Sequence, residues 1–105
     1  MSPVRLSPEV EGDLSAAVAW FDSQLEPQAA NRFLAEFRDA VGIIAAHGHV
    51  YRRLPGGFRH LKFKRFSWLV FYRDTDDGFL VVLVVNAARN PSLIQTLLGQ
   101  RRSAS

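Results

Sequence analysis

Five permanent cations lie within one short aromatic stretch, residues 58–74, whose sequence is FRHLKFKRFSWLVFYRD. These cations are Arg59, Lys62, Lys64, Arg65 and Arg73. A sixth, Arg89, stands between the apolar run FLVVLVV and the dipeptide Asn90-Pro91. Guanidinium and ammonium groups bind phosphates and carboxylates. The six cations therefore predict a binding surface for an anionic partner, either a nucleic-acid phosphate or an acidic protein segment.

Side chains that could perform catalysis or hold a metal are sparse. His60 is a lone strand histidine, and no catalytic role is predicted for it although histidine titrates near neutral pH. His47 and His49 lack an evident third ligand, and the chain has no cysteine. The glycines of Pro55-Gly56-Gly57 lack the lysine and the strand-to-helix setting of a phosphate-binding loop. We predict no catalytic residue, no metal and no cofactor.

The length and composition are typical of one globular domain spanning residues 1–105. The N-terminus lacks the apolar core of a signal peptide, and the longest apolar run is too short to cross a membrane. The absence of cysteine fits a reducing compartment, so we expect a cytoplasmic protein without membrane contact.

Charge divides sharply along the chain. Residues 1–48 carry three cations and seven anions, 3 − 7 = −4, whereas residues 49–105 carry ten cations and three anions, 10 − 3 = +7. An acidic face and a basic face within one domain are predicted, and the basic face should attract acidic partners.

Two amphipathic helices are predicted in the first half. Ser7 as N-cap and Pro8 at the first helical position begin one helix, and Pro27 begins another that ends near Gly48. Their apolar residues recur every three or four positions, and a connection of one or two residues makes them an antiparallel hairpin. Trp20, beside the first apolar stripe, is expected to pack in the core.

Three strands are predicted in the second half, at residues 58–63, 66–73 and 79–86, and the last should be central because it is apolar throughout. Gly78 is expected to give the intervening turn a positive φ angle. A short extended lead-in at residues 4–7 should join the sheet. Side chains predicted to face the helices are Leu61, Phe63, Leu69 and Phe71. After Asn90-Pro91 a short helix is predicted, followed by fraying of residues 101–105.

The fold class is therefore α+β, with the order β-α-α-β-β-β and a helical hairpin packed on a mostly antiparallel sheet. In this layout Arg89 leaves the central strand at a fixed point. We expect its guanidinium to be better positioned than those of Arg101 and Arg102 in the tail.

Together these segments resemble toxins of the RelE/ParE superfamily of bacterial type II toxin-antitoxin systems. SPEVEGDLSAAVAWF is similar to the first helix of the family and NRFLAEFRDAVGIIAAHG to the second. YRRLPGGFRHLKFKRFSWLVFYR and VVLVVNAARNP are similar to its sheet. The ParE-like branch fits better, and the ending Arg89-Asn90-Pro91 stands where many of its members have Arg-Asp-Pro.

The resemblance implies a ParD-like antitoxin as partner, with room for assembly into an oligomer, and a target that is either DNA gyrase or messenger RNA on the ribosome. For RelE-like cleavage, Arg59, Lys62, Lys64 and Arg89 match basic positions of those nucleases. Trp68 stands where they place an arginine, and Leu93 or Ile94 where they place a tyrosine. The leading hypothesis is therefore a ParE-like gyrase inhibitor. The alternatives are a RelE-like endoribonuclease and an inactive toxin relative.

Overall fold

The computed structural model describes residues 1–102, which form three layers: a helical hairpin, a sheet and a third helix. The elements are, in chain order, β1 (Val4–Leu6), α1 (Pro8–Ser23), α2 (Pro27–His47), β2 (Phe58–Lys62), β3 (Trp68–Asp74), β4 (Phe79–Asn86) and α3 (Pro91–Arg101). A short 3-10 turn, Gly48–Val50, follows α2. The predicted α+β class and element order are confirmed. Among residues 1–102, no helix combines the length and apolarity needed to cross a bilayer.

The sheet has the strand order β1-β4-β3-β2. β1 runs parallel to β4, and the other neighbours are antiparallel. β4 is buried from Phe79 to Val85 because the helical hairpin covers one of its faces and α3 covers the other. The predicted central position of this apolar strand is confirmed.

The helical hairpin departs from prediction at its ends. Ser7 is the N-cap of α1, but its side chain makes no capping bond and its buried hydroxyl has no partner within residues 1–102. The connection is three residues long rather than one or two, and Leu25 within it has φ 58°. Trp20 is 53% exposed, so its predicted place in the core is wrong.

The predicted faces of β3 are also wrong. Leu61 and Phe63 face the hairpin as expected, but Leu69 and Phe71 pack on the α3 side. The reason is register: Leu61 lies opposite Val70, and residues directly opposite each other share a face. Val70 therefore faces the hairpin, and its neighbours along the strand must face away.

Gly78 is required for a different reason from the one predicted. The positive φ angles recorded for glycine belong to Gly56 and Gly57. A Cβ atom on Gly78 would lie 2.1 Å from the carbonyl oxygen of Pro3. That oxygen accepts the Phe79 N–H at 3.0 Å, so Gly78 allows β1 to approach the start of β4.

The C-terminal helix is longer and better anchored than expected. Arg101 is its last residue and is held by Asp13, so the predicted fraying does not begin there. The rest of that expectation, for residues 103–105, lies outside the described residues. We predicted that the Arg101 guanidinium is less well positioned than that of Arg89. This prediction is wrong, because Asp13 holds the Arg101 guanidinium in place.

Candidate functional site

The six predicted cations divide between the two ends of the sheet. The register pairs Phe58 with Arg73 at one end and Lys62 with Leu69 at the other, where Trp68 also meets Asn86. Arg59 and Arg73 therefore lie toward the first end. The remaining four lie at or beyond the second, which we call the cationic end: Lys62, Lys64, Arg65 and Arg89.

Arg59 is turned into the protein and is only 7% exposed. Its guanidinium donates from Nε and Nη2 to the two carboxylate oxygens of Asp74, at 2.9 and 3.1 Å. It also donates to the carbonyl oxygens of Tyr51 and His49. This arrangement joins the loop before β2 to the end of β3, which gives Arg59 a structural task.

The charges in this cluster reinforce one another. The hydrogen bonds from Arg59 lower the pKa of Asp74 from 3.8 to about 2, and Arg53 contributes through a bond of 2.7 Å. Asp74 in turn raises the pKa of Arg59. Burial raises the pKa of Tyr72 to about 12, and its hydroxyl donates to the carbonyl oxygen of Gly48 at 2.7 Å. The cluster fixes the loop before β2, and none of these three side chains gains or loses a proton near neutral pH.

Arg73 is half-buried and lies near carboxylates. It lines a concavity at the β3–β4 turn together with Arg5, Asp74, Asp76 and Asp77. Its Nε is buried and has no hydrogen-bond partner within residues 1–102. Its charge is offset by the acidic turn, so Arg73 does not belong to the cationic end.

Lys62, Lys64 and Arg65 are exposed at the end of β2 and in the following turn. The turn is fixed to α2 because the backbone N–H groups of Arg65 and Phe66 donate to one carboxylate oxygen of Glu36, at 2.9 and 3.5 Å. A groove of about 550 Å³ runs between α2 and β2, with both lysines in its lining. Three cations are thus presented from a turn that the hairpin holds in place.

Arg89 is exposed just beyond β4. Its backbone N–H donates to the carbonyl oxygen of Asn86 at 3.0 Å, and the Asn90 side chain caps α3 by accepting the Ser92 N–H at 2.8 Å. These two bonds fix the backbone on both sides of Arg89. The prediction that Arg89 leaves β4 at a fixed point is consistent with this geometry, and its binding role stays a prediction.

A groove of about 580 Å³ lies beside the second half of β4, between α1 and α3, and is called the β4 groove below. Trp20 on α1 and Leu93 on α3 line it and are 53% and 37% exposed. Trp68 and Arg89 also line it, which connects the groove to the cationic end. A concavity lined by both apolar and polar side chains therefore adjoins the predicted anion-binding surface.

Sequence reasoning missed this groove and the ion pair within its lining. Asp13 on α1 pairs with Arg101 on α3, and both side chains are largely buried. Asp13 lies off the apolar stripe of its helix, so nothing in the periodicity distinguishes it from a solvated carboxylate. Trp20 was the available signal, because a tryptophan beside an apolar stripe is as well placed to line a groove as to fill a core.

Among residues 1–102, no three His, Asp or Glu side chains gather as a metal site would require. The His49 ring packs 4.7 Å from that of Phe79, and His47 lines the groove beside α2.

A family model described as the ParE toxin of the type II toxin-antitoxin system parDE matches residues 4–91. The chain belongs to the ParE toxin family. The match takes in every strand, both helices of the hairpin and Arg89. This ParE-family toxin therefore has the fold and the family that its sequence segments predicted.

A solved structure agrees with this assignment at the level of the fold. It belongs to the chromosomal ParDE toxin-antitoxin system from P. aeruginosa, with a TM-score of 0.72 and 16% sequence identity. The match covers 82% of this ParE-family toxin and 96% of that chain. No curated protein matches.

Proposed function

We propose that this ParE-family toxin arrests growth by binding DNA gyrase through its cationic end, without chemistry of its own, and that a cognate ParD-like antitoxin keeps it silent. The single observation that carries the proposal is the state of the four cations at that end. None of them forms an ion pair with another residue in the range 1–102, whereas Arg59 and Arg101 are both neutralised internally. Their charge is available to an external anion.

The surroundings of the cations favour binding over RNA cleavage. Trp68, at the position where RelE-like nucleases place an arginine, packs against Phe33 with ring centroids 4.9 Å apart. Ile94 is buried under the sheet, and Leu93 presents an aliphatic side chain to the groove. Phosphoryl transfer needs positioned cations and groups that move protons, and these three side chains supply neither.

The antitoxin proposal rests on family membership and on the two kinds of surface at this end of the sheet. Apolar residues line the β4 groove, and exposed cations lie beside it, so an acidic segment with apolar side chains would match both. The toxin acts in the cytoplasm in this proposal, because gyrase and newly made antitoxin are both found there.

Expression of the chain without an antitoxin tests the proposal. We expect growth arrest with induction of a DNA-damage reporter, inhibition of supercoiling by purified gyrase, and intact messenger RNA in a translating extract. A variant combining Lys62→Ala, Lys64→Ala and Arg65→Ala should lose most of the inhibition. The matched control combines Arg5→Ala, Arg32→Ala and Arg52→Ala, which removes three exposed cations that do not line the groove beside Lys62 and Lys64.

Codon-specific cleavage of ribosome-bound messenger RNA would contradict the proposal and support the RelE-like alternative. Absence of both activities in a folded protein would support an inactive relative.

A further inference from the structure

We propose that the second half of β4 accepts an extended segment of the antitoxin as an added parallel strand, seated in the β4 groove. This inference rests on the proposed function, since it assigns a place and a conformation to the antitoxin partner. It follows from the hydrogen-bonding groups that the sheet leaves open.

β1 covers only the first half of the outer edge of β4. The register pairs Val4, Arg5 and Leu6 with Phe79, Leu80 and Val81. The last backbone bond on this edge joins the Ser7 N–H to the carbonyl oxygen of Val81 at 2.9 Å, and the chain then turns into α1. From Val82 onward, no strand within residues 1–102 lies beside β4 on this side.

The Asp13–Arg101 ion pair takes the place of a strand along the next part of the edge. The register passes from Tyr72–Val81 to Phe71–Leu83, so Val82 is an extra, bulged residue. Arg101 Nη1 donates to the Val82 carbonyl oxygen at 3.1 Å, and the Val84 N–H donates to Asp13 Oδ2 at 3.0 Å. Two outward backbone groups are thus satisfied by side chains.

Two further backbone groups on this edge remain open. In an antiparallel ladder both the N–H and the C=O of one residue point to the same side. Because the Val84 N–H reaches Asp13, the Val84 carbonyl oxygen also points outward. The Trp68 carbonyl oxygen accepts from Phe63 N–H at 2.9 Å on the β2 side, so Asn86, its partner on β4, has both groups directed outward as well.

The Asn86 carbonyl oxygen accepts from Arg89 N–H. This leaves the Val84 carbonyl oxygen and the Asn86 N–H, for which no bond is recorded with any group outside the strands within residues 1–102. Both groups open toward the β4 groove, which Val84 and Asn86 themselves line.

One residue of a parallel strand can satisfy both groups. Its N–H would donate to the Val84 carbonyl oxygen, and its own carbonyl oxygen would accept from Asn86 N–H, which places it opposite Val85. The incoming strand would then continue the line and direction of β1. The other open edge, on β2, carries the exposed Lys62, and a charged edge opposes strand addition.

The groove also defines the side chains of the added strand. Val85 packs on the α3 side of the sheet, so the residue opposite it would lie on Leu93 and Leu97. The residues on either side of it would face α1, where Trp20 is exposed beside the small side chain of Ala17. Arg89 is the one cation in this lining without an ion pair in the described chain. The occupant is therefore a segment of alternating apolar residues with a carboxylate placed for Arg89.

Amide hydrogen exchange of the full-length toxin, measured by NMR alone and bound to the protein encoded by the adjacent reading frame, tests the inference. Asn86 N–H should exchange rapidly in the free toxin and at least tenfold more slowly in the complex. Val84 N–H, already bonded to Asp13, should be protected in both states and serves as an internal control.

A second variant blocks the groove. Ala16 is exposed on α1 and lines the groove, so Ala16→Arg should fill it without disturbing the core and weaken binding at least tenfold. Ala35→Arg, on an exposed position of α2, is the matched control and should bind normally. A complex that forms with Asn86 N–H still unprotected, or that tolerates Ala16→Arg, would overturn this inference and leave the proposed function standing. Failure to form any complex would overturn both.

Discussion

At the scale of single residues, two arginines of this toxin lie in opposite environments, Arg59 buried and Arg89 exposed. Arg59 is enclosed by Asp74 and two backbone carbonyl groups, and its removal would leave the half-buried Asp74 carboxylate with one partner fewer. Arg89 has its backbone fixed and its guanidinium exposed. The sequence alone does not separate the two arginines, because both stand in or near apolar strands. Only the fold shows that Arg59 is buried and Arg89 is exposed.

Arg89→Ala should reduce toxicity at least tenfold, because the backbone on both sides of Arg89 is fixed and less freedom is lost when its guanidinium binds an anion. Arg52→Ala is the control, since Arg52 is an exposed cation away from the cationic end. Growth after induction, at matched protein levels, measures the effect, and thermal unfolding checks the fold. Equal toxicity of the two variants, or an unfolded Arg89→Ala protein, would make Arg89 a spectator or a scaffold residue.

Asp74→Asn should lower the free energy of unfolding by on the order of 2 kcal/mol at pH 7. The pKa of Asp74 is depressed to about 2 from 3.8, so the unfolded chain binds the proton more readily. The stabilisation is therefore complete above about pH 4 and is lost as the pH falls toward 2. Urea unfolding of the unsubstituted protein and of Asp74→Asn at pH 7, 4 and 2.5 should show that the difference between their free energies of unfolding becomes smaller as the pH falls. Asp76→Asn, in the exposed turn, should show no such dependence, and a constant difference for Asp74→Asn would refute the explanation.

At the scale of elements, the outer edge of β4 has three parts that differ in what covers them. A short parallel strand covers its beginning, an ion pair between two helices covers its middle, and its end is open. The ion pair also connects the two layers that cover the sheet, because Asp13 belongs to the hairpin and Arg101 to α3.

Arg101→Met should destabilise the fold by about 2 to 4 kcal/mol, because it removes the ion pair of the largely buried Asp13 carboxylate, which keeps only the Val84 N–H, and the arginine donor to the Val82 carbonyl oxygen. Asp13→Asn should also destabilise. The double variant should be less destabilised than the sum of the two, by about 1 to 3 kcal/mol. Arg102→Met is the control, with its guanidinium exposed over the Phe58 ring. Additive effects in denaturant unfolding would show that the pair is not coupled.

The elements themselves could be predicted from local patterns. Apolar periodicity and the two proline starts place α1 and α2, and the Val/Leu run places β4 at the centre. The faces of β3 could not be predicted, because they depend on the register with β2. The need for Gly78 could not be predicted either, because it comes from Pro3, a residue distant in the chain.

At the scale of the whole molecule, the charge division of the sequence is a division between layers. The acidic first part forms β1 and the hairpin, and the basic second part forms the rest of the sheet and α3. The candidate site lies where the basic part meets the end of α1. Four of its cations could be predicted from residue type alone, whereas the groove could not, because it is formed by elements far apart in the chain.

The complex with the antitoxin should survive 0.5 M salt with less than a hundredfold loss of affinity. Ion pairs at an exposed surface weaken with screening, whereas burial of apolar side chains does not. Binding titrations at 0.1 and 0.5 M sodium chloride measure the loss. Complete dissociation, with circular dichroism unchanged, would show that the groove contributes no apolar contact.

The Asp13–Arg101 pair determines when parts of the fold can form during synthesis of the chain. The two residues are 88 positions apart, so the bond cannot form until α3 has left the ribosome. β1 likewise waits for β4, its one partner strand among residues 1–102. The hairpin is synthesised early, but the β4 groove takes its final shape only after α3 has been made. In the proposed function, an antitoxin segment therefore finds its groove only in a toxin molecule whose α3 has already been made.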